Sequence, residues 1–104
     1  MAPGQTAFSA SKVGCHGLAR ALPAEHAGRG IRVNIVVHGS IDTPINAAVG
    51  DEERALTSLL NGVPMGRMMG SAEEVAALNS WLVSDNASHL AGGYVTVDSG
   101  QTCV

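Results

Sequence analysis

Phe8 and Lys12 stand four residues apart within QTAFSASKVGCHGLARAL, the stretch from Gln5 to Leu22. On a helix, positions i and i+4 share a face one turn apart, a spacing that lets two side chains serve one reaction. A phenol at the first position beside an ammonium at the second would make a proton donor with a lowered pKa. The ring here is phenylalanine, which carries no hydroxyl and transfers no proton. Ser9 and Ser11 flank it but point about 100° per residue around the helix, so neither replaces a phenol at position 8. Tyr94 is the only tyrosine and is expected at the start of the last strand, far from Lys12. His16, His26, His38 and His89 share no metal-ligand spacing, and no nucleophile elbow supports a Ser-His-Asp triad.

The elements around these residues must come from 104 residues, enough for one small domain. The chain is 45% hydrophobic and 14% charged, a composition that folds rather than stays disordered. Thirteen glycines with one each of Trp, Tyr and Phe indicate an aliphatic architecture with close backbone approaches. A net charge of -3 and scattered basic residues argue against a nucleic-acid or anionic-membrane partner, because phosphate binding needs clustered Lys and Arg. Cys15 and Cys103 form no CxxC pattern, so reduced thiols are expected. The first residues lack the basic and apolar regions of a signal peptide, and no apolar run reaches the ~20 residues of a membrane helix. Cytoplasm is the expected location.

A first helix is expected from about Gln5 to Ala27, with Phe8, Ser11, Cys15, Leu18 and Leu22 forming one buried stripe. Pro23 should kink it or end it early, and Gly28 or Gly30 can close it in the left-handed conformation. IRVNIVV, Ile31 to Val37, is β-branched enough for a strand covered on both faces. Asp42 or Thr43 can cap a helix starting at Pro44, and Ile45 to Gly62 reads as one or two helices in an insert. PMGRMMG is expected as a loop. SAEE, Ser71 to Glu74, has the form of a capping box ahead of a helix with Val75, Leu78, Trp81 and Leu82 on its apolar side. SDNASHLAGG then reads as a loop and YVTV as a short strand. Two strands, parallel in sense, with helices around them give half of a doubly wound α/β fold. Two strands alone make a poor sheet.

Several of these stretches, in this order, resemble one family. FSASK is similar to the Tyr-x-x-x-Lys helix of short-chain dehydrogenases/reductases, with Phe8 in the tyrosine slot and Lys12 at the lysine. GIRVNIVVHGSIDTPI resembles the family's Val-Asn-x-x-x-Pro-Gly-x-x-x-Thr strand and loop, with His38 in place of the proline. PMGRMMGSAEEVAAL is similar to its Pro-x-x-Arg-x-x-x-x-x-Glu-x-Ala segment. WLVSDNASHLAGGYVTVDSG resembles its closing helix, loop and strand, ending Asp98-Ser99-Gly100 where the family has Asp-Gly-Gly.

The resemblance implies a partial Rossmann-like doubly wound α/β fold. Residues 1–104 would form the C-terminal part of an NAD(P)-binding domain. It implies an oxidoreductase using NAD or NADP on small-molecule alcohol or carbonyl substrates. Lys12 would contact the cofactor ribose, and Gly39, Ile41 and Thr43 the nicotinamide. The sequence holds no Gly-x-x-x-Gly-x-Gly turn to cradle a pyrophosphate, and no counterpart of the family's catalytic serine or helix asparagine. With Phe8 in the tyrosine slot as well, the expectation is a chain that is inactive alone. The alternatives are a non-catalytic chain that associates with full-length relatives or with copies of itself, and a pseudogene product.

Overall fold

In the computed structural model the described residues are 4–44, 63–66 and 69–103. The insert expected from Ile45 to Gly62 lies outside them, as do Arg67 and Met68. The chain divides into two compact units, one of Met1–Ile35 with Ser88–Tyr94 and the other of Val36–Ala87 with Val95–Val104.

The first unit is built on α1, Thr6–His26. Pro23 neither kinks it short nor ends it: the helix continues to His26, and the Ala27 amide donates to the Pro23 carbonyl. Proline lacks the N–H that would reach the carbonyl of Ala19. The chain packs where that donor is missing. Ala19 is the one buried residue of α1, and Gly92, at φ +73°, lies against Ala19 and Pro23. A turn at Ala27–Arg29 follows and closes at Gly30 in the left-handed region, as the glycine pattern predicts.

The expected buried stripe is not found. Phe8 and Leu18 are each 59% exposed, Ser11 and Cys15 are exposed, and only Leu22 is half-buried. An apolar stripe is buried only where another element covers it, and none of the described residues of this unit does so.

The strand expected from Ile31 is shortened to β1, Ile35–His38, and is half-buried rather than covered on both faces. Asn34 explains where it starts. Its side-chain amide donates to the Leu90 carbonyl (2.9 Å), and its side-chain oxygen accepts from the Gly93 amide (2.9 Å). The Gly93 amide is thus taken by a side chain, while the Gly92 amide still donates to the Val33 carbonyl at 2.7 Å.

β1 pairs with the last strand, here β4, Tyr94–Val97. Donation from Ile35 to Gly93 and from Gly39 to Val97 advances in step along both segments, the parallel sense. Among the described residues there are four strands rather than two. In the second unit β2, Ser40–Ile41, pairs in parallel with β3, Met69–Gly70, so the end of PMGRMMG is strand and not loop. Dipeptide strands carry no periodicity and cannot be read from a pattern of residues.

α2, Ala72–Val83, begins with the expected capping box. The Ser71 amide donates to the Glu74 carboxylate at 2.8 Å, and the Glu74 amide to the Ser71 hydroxyl at 3.3 Å. Leu82 is buried and Val75 and Leu78 are half-buried, but Trp81 is 45% exposed. Val63, Ile41 and Ala87 complete the buried apolar residues of this unit.

Candidate active-site region

The structure brings Phe8 and Lys12 together, as their spacing on α1 requires. The Lys12 ammonium lies 5.3 Å from the centroid of the Phe8 ring, a cation–π contact worth about 0.5–1 kcal/mol at an exposed site. Phe8 is therefore not a packed core residue; its face is covered by the lysine. The Ser11 hydroxyl donates to the Phe8 carbonyl at 2.7 Å. Tyr94 lies nearer this helix than the sequence suggests. Its hydroxyl donates to the His16 carbonyl (3.3 Å), and its ring meets the His16 ring edge-on at 5.0 Å. That contact is one turn of α1 beyond Lys12.

Gly39, Ile41 and Thr43 belong to the second unit. A Cβ at Gly39 would lie 3.0 Å from both Cα and Cβ of Asp98, so a side chain there would have to push the Asp98 turn back by a few tenths of an ångström. Ile41 is buried and pairs with Gly70. The Thr43 hydroxyl donates to the Ile41 carbonyl at 3.4 Å, a long bond at the strand exit, and the helix expected to follow Pro44 lies outside the described residues. His38, in the expected proline position, is exposed and donates from Nδ1 to the Gly39 carbonyl at 2.8 Å. Proline would fix φ there; the ring instead bonds to the backbone of the next residue.

Two hollows open on this unit. One, about 330 Å³, is lined by His38, Ile41 and Thr43 from the strand exits and by Val75, Ala76 and Asn79 from α2. The other, about 340 Å³, lies between Ser40, Met65, Gly70, Glu74 and the turn at Asp98–Gly100. Asp98 organises that turn by accepting from the Gly100 amide (3.0 Å) and the Thr102 amide (2.8 Å). The Thr102 side chain, with these amides, holds the Asp98 carboxyl below the usual carboxylate range. Ser99 has φ +57°, a left-handed conformation that costs a non-glycine residue about 1 kcal/mol. Among the described residues no group of three or more His, Cys, Asp or Glu is placed to hold a metal.

Sequence reasoning missed the clamp made by Asn34 and the dependence of Gly39 on Asp98. A polar amide ahead of a run of β-branched residues was the available signal for the first. For the second there was none, because the partners are far apart in the chain.

A family model described as "Enoyl-(Acyl carrier protein) reductase" matches residues 1–102. The chain is 45% identical over 97 residues to 3beta-hydroxysteroid dehydrogenase 1 of Eggerthella lenta, covering 91% of this chain and 36% of that one. It is 41% identical over 98 residues to 3-oxoacyl-[acyl-carrier-protein] reductase FabG of Thermotoga maritima, covering 94% and 39%. Among solved structures, a gluconate 5-dehydrogenase from Burkholderia cenocepacia in complex with NADP and tartrate superposes with a TM-score of 0.90 at 26% identity. That superposition covers 100% of this chain and 40% of the dehydrogenase. The chain thus spans about two-fifths of the length of the relatives it matches. The match across the helix, the strand exits and the closing strand is continuous, and the chain belongs to the short-chain dehydrogenase/reductase family.

Proposed function

We propose that residues 1–104 are the C-terminal part of an NAD(P)-dependent oxidoreductase domain acting on alcohol or carbonyl groups. In this part Phe8 stands in the slot of the proton-donating tyrosine. The observation that carries this reading is the Lys12 ammonium seated over the Phe8 ring. A lysine in that position would depress the pKa of a phenol at residue 8. Over a phenyl ring it makes only a cation–π contact.

The nicotinamide end of a dinucleotide fits the residues of the second unit, with a hydroxyl at Thr43 and backbone groups at Gly39 and Ile41; for Lys12, on the first unit, the family resemblance supports a contact to the ribose. Gly39 itself is accounted for by Asp98, so its role toward the cofactor is through its main-chain groups. The sequence offers no Gly-rich turn for the pyrophosphate. When bound, the cofactor supplies hydride; the residues of this chain orient it and, with phenylalanine at position 8, donate no proton to a forming alkoxide. This chain alone is then inactive. A cytoplasmic, reducing location agrees with two free, exposed cysteines, and no helix of the described residues is long and apolar enough to cross a membrane.

The test is Phe8→Tyr, read by ultraviolet titration of the phenol. The new tyrosine should titrate below its ordinary value of about 10, and Lys12→Met should return it there. Hydride transfer from NADH or NADPH by Phe8→Tyr alone should remain undetectable. An unshifted phenol would remove Lys12 from the role assigned to it, and turnover would overturn the claim that this part is insufficient.

A second reading has an observation of its own. Phe8, Val13 and Leu18 leave α1 with large apolar side chains in solvent, at 59%, 64% and 59% exposure. That favours a chain acting through association with relatives or copies of itself, catalytic or not.

A further inference from the structure

We infer that His38 is a specificity-determining residue. The hollow of about 330 Å³ that it borders takes a small uncharged group which enters as a hydrogen-bond donor, a hydroxyl or a primary amide, and turns carboxylates away. The inference rests on the oxidoreductase reading above and gives the chemical sense of what enters beside Ile41 and Thr43.

Hydrogens already committed decide that sense. The Gly39 carbonyl has no proton to give, so its 2.8 Å bond with His38 puts the ring proton on Nδ1. In the neutral imidazole Nε2 then carries a lone pair and is an acceptor. The single hydrogen of the Thr43 hydroxyl is turned to the Ile41 carbonyl at 3.4 Å, which leaves its oxygen an acceptor as well. Asn79 offers both senses through its amide. A ligand that donates therefore meets two acceptors, whereas a carboxylate meets their lone pairs. The proline of the family's motif would place no polar side-chain atom at this position.

The surroundings supply no countercharge. Ile41, Ala72, Val75 and Ala76 are apolar, and His38 is the one titratable group among the described residues that line the hollow. The charged groups on and beside these elements, among the described residues, are Asp42 at the strand exit, Asp98 across from Gly39, and Glu73 and Glu74 in the first turn of α2. All four are acidic and none lines the hollow. An anion entering it would find only like charge nearby. An apolar wall with a few polar groups is the usual form of a small-molecule site, and about 330 Å³ lies at the small end of that range.

The experiment uses the 104-residue chain labelled with ¹⁵N-histidine. Long-range ¹H–¹⁵N spectra at about pH 8 should show His38 protonated at Nδ1 and bare at Nε2. The chain is then titrated with benzyl alcohol, benzamide and benzoate, which share a ring and differ in the group presented. At that pH the alcohol or the amide should move the His38 Nε2 resonance and bind about tenfold more tightly than benzoate, the cost of one unmade hydrogen bond. Histidine changes charge between about pH 5 and 8, and a protonated ring donates from both nitrogens, so at about pH 5 the preference should be lost. His38→Phe and His38→Pro each remove the acceptor and should abolish both the preference and its pH dependence, with helicity unchanged by circular dichroism.

Tighter binding of the alcohol than of the amide would make a substrate hydroxyl the source of the donor, and the reverse would make it a carboxamide; either supports the assignment. A proton on Nε2 instead of Nδ1, benzoate binding as tightly as the other probes at pH 8, or a preference that survives in both variants would overturn it. None of these outcomes touches the oxidoreductase reading, which is decided by the phenol titration at residue 8. Failure of all three probes to shift His38 would overturn the hollow as a binding site and leave that reading in place.

Discussion

The two α-helices among the described residues are held by different physics. α2 has twelve residues, a reciprocal cap at Ser71 and Glu74, two glutamates in its first turn and Leu82 buried. α1 has twenty-one residues, no side-chain cap, no acidic residue in its first turn, a proline in its interior and only Ala19 buried. The longer helix, which bears Phe8 and Lys12, is the less supported by its own unit. Helices of this size gain most of their stability from burying a face, and the face of α1 bearing Phe8 and Leu18 has no cover among the described residues of its unit. α2 meets its local requirements itself; α1 presents a surface.

That contrast can be broken most directly in the cores. Leu82→Ala should cost about 2–4 kcal/mol, from lost burial plus a cavity, whereas Leu18→Ala, at an exposed position, should stay within about 0.5 kcal/mol. Chemical denaturation followed by circular dichroism separates the two, and equal costs would erase the distinction drawn between the helices.

A smaller effect is expected at the cap. Ser71→Ala removes the acceptor for the Glu74 amide and should cost about 1 kcal/mol.

The smallest effect is a pH dependence confined to the closing turn. The Asp98 carboxyl has its folded pKa below its unfolded value, so its contribution is complete above about pH 4. It fades as pH falls through the folded value. The Gly100 and Thr102 amide resonances should move together over that acidic window.

Much of the fold was legible because its signals are local. Ser71 and Glu74 satisfy each other across three residues, and Gly30 takes the left-handed conformation that ends the turn after α1. The order of the short motifs marked the family, because each keeps its own spacing. The strand after Gly30 was misjudged at its beginning. Hydrophobic pattern alone ran it from Ile31, while the Asn34 side chain takes the partners at Leu90 and Gly93 that a longer strand would have used. β2 and β3 were invisible for a related reason: two residues each give no period. At the candidate site, the meeting of Phe8 and Lys12 followed from i, i+4 geometry, but its character did not. The sequence allowed a packed phenylalanine; the structure has an exposed one under an ammonium.

By itself, then, the sequence determined what depends on neighbours within one turn: the cap of α2, the glycine that closes the turn after α1, the shared face of Phe8 and Lys12, and the absence of a hydroxyl at position 8. Tertiary structure alone decided which helix face is covered, where β1 starts, and how closely Asp98 approaches Gly39. Those outcomes rest on contacts between residues many positions apart, such as Asn34 with Leu90 and Gly39 with Asp98. Composition and periodicity carry no record of which distant residue arrives to make such a contact.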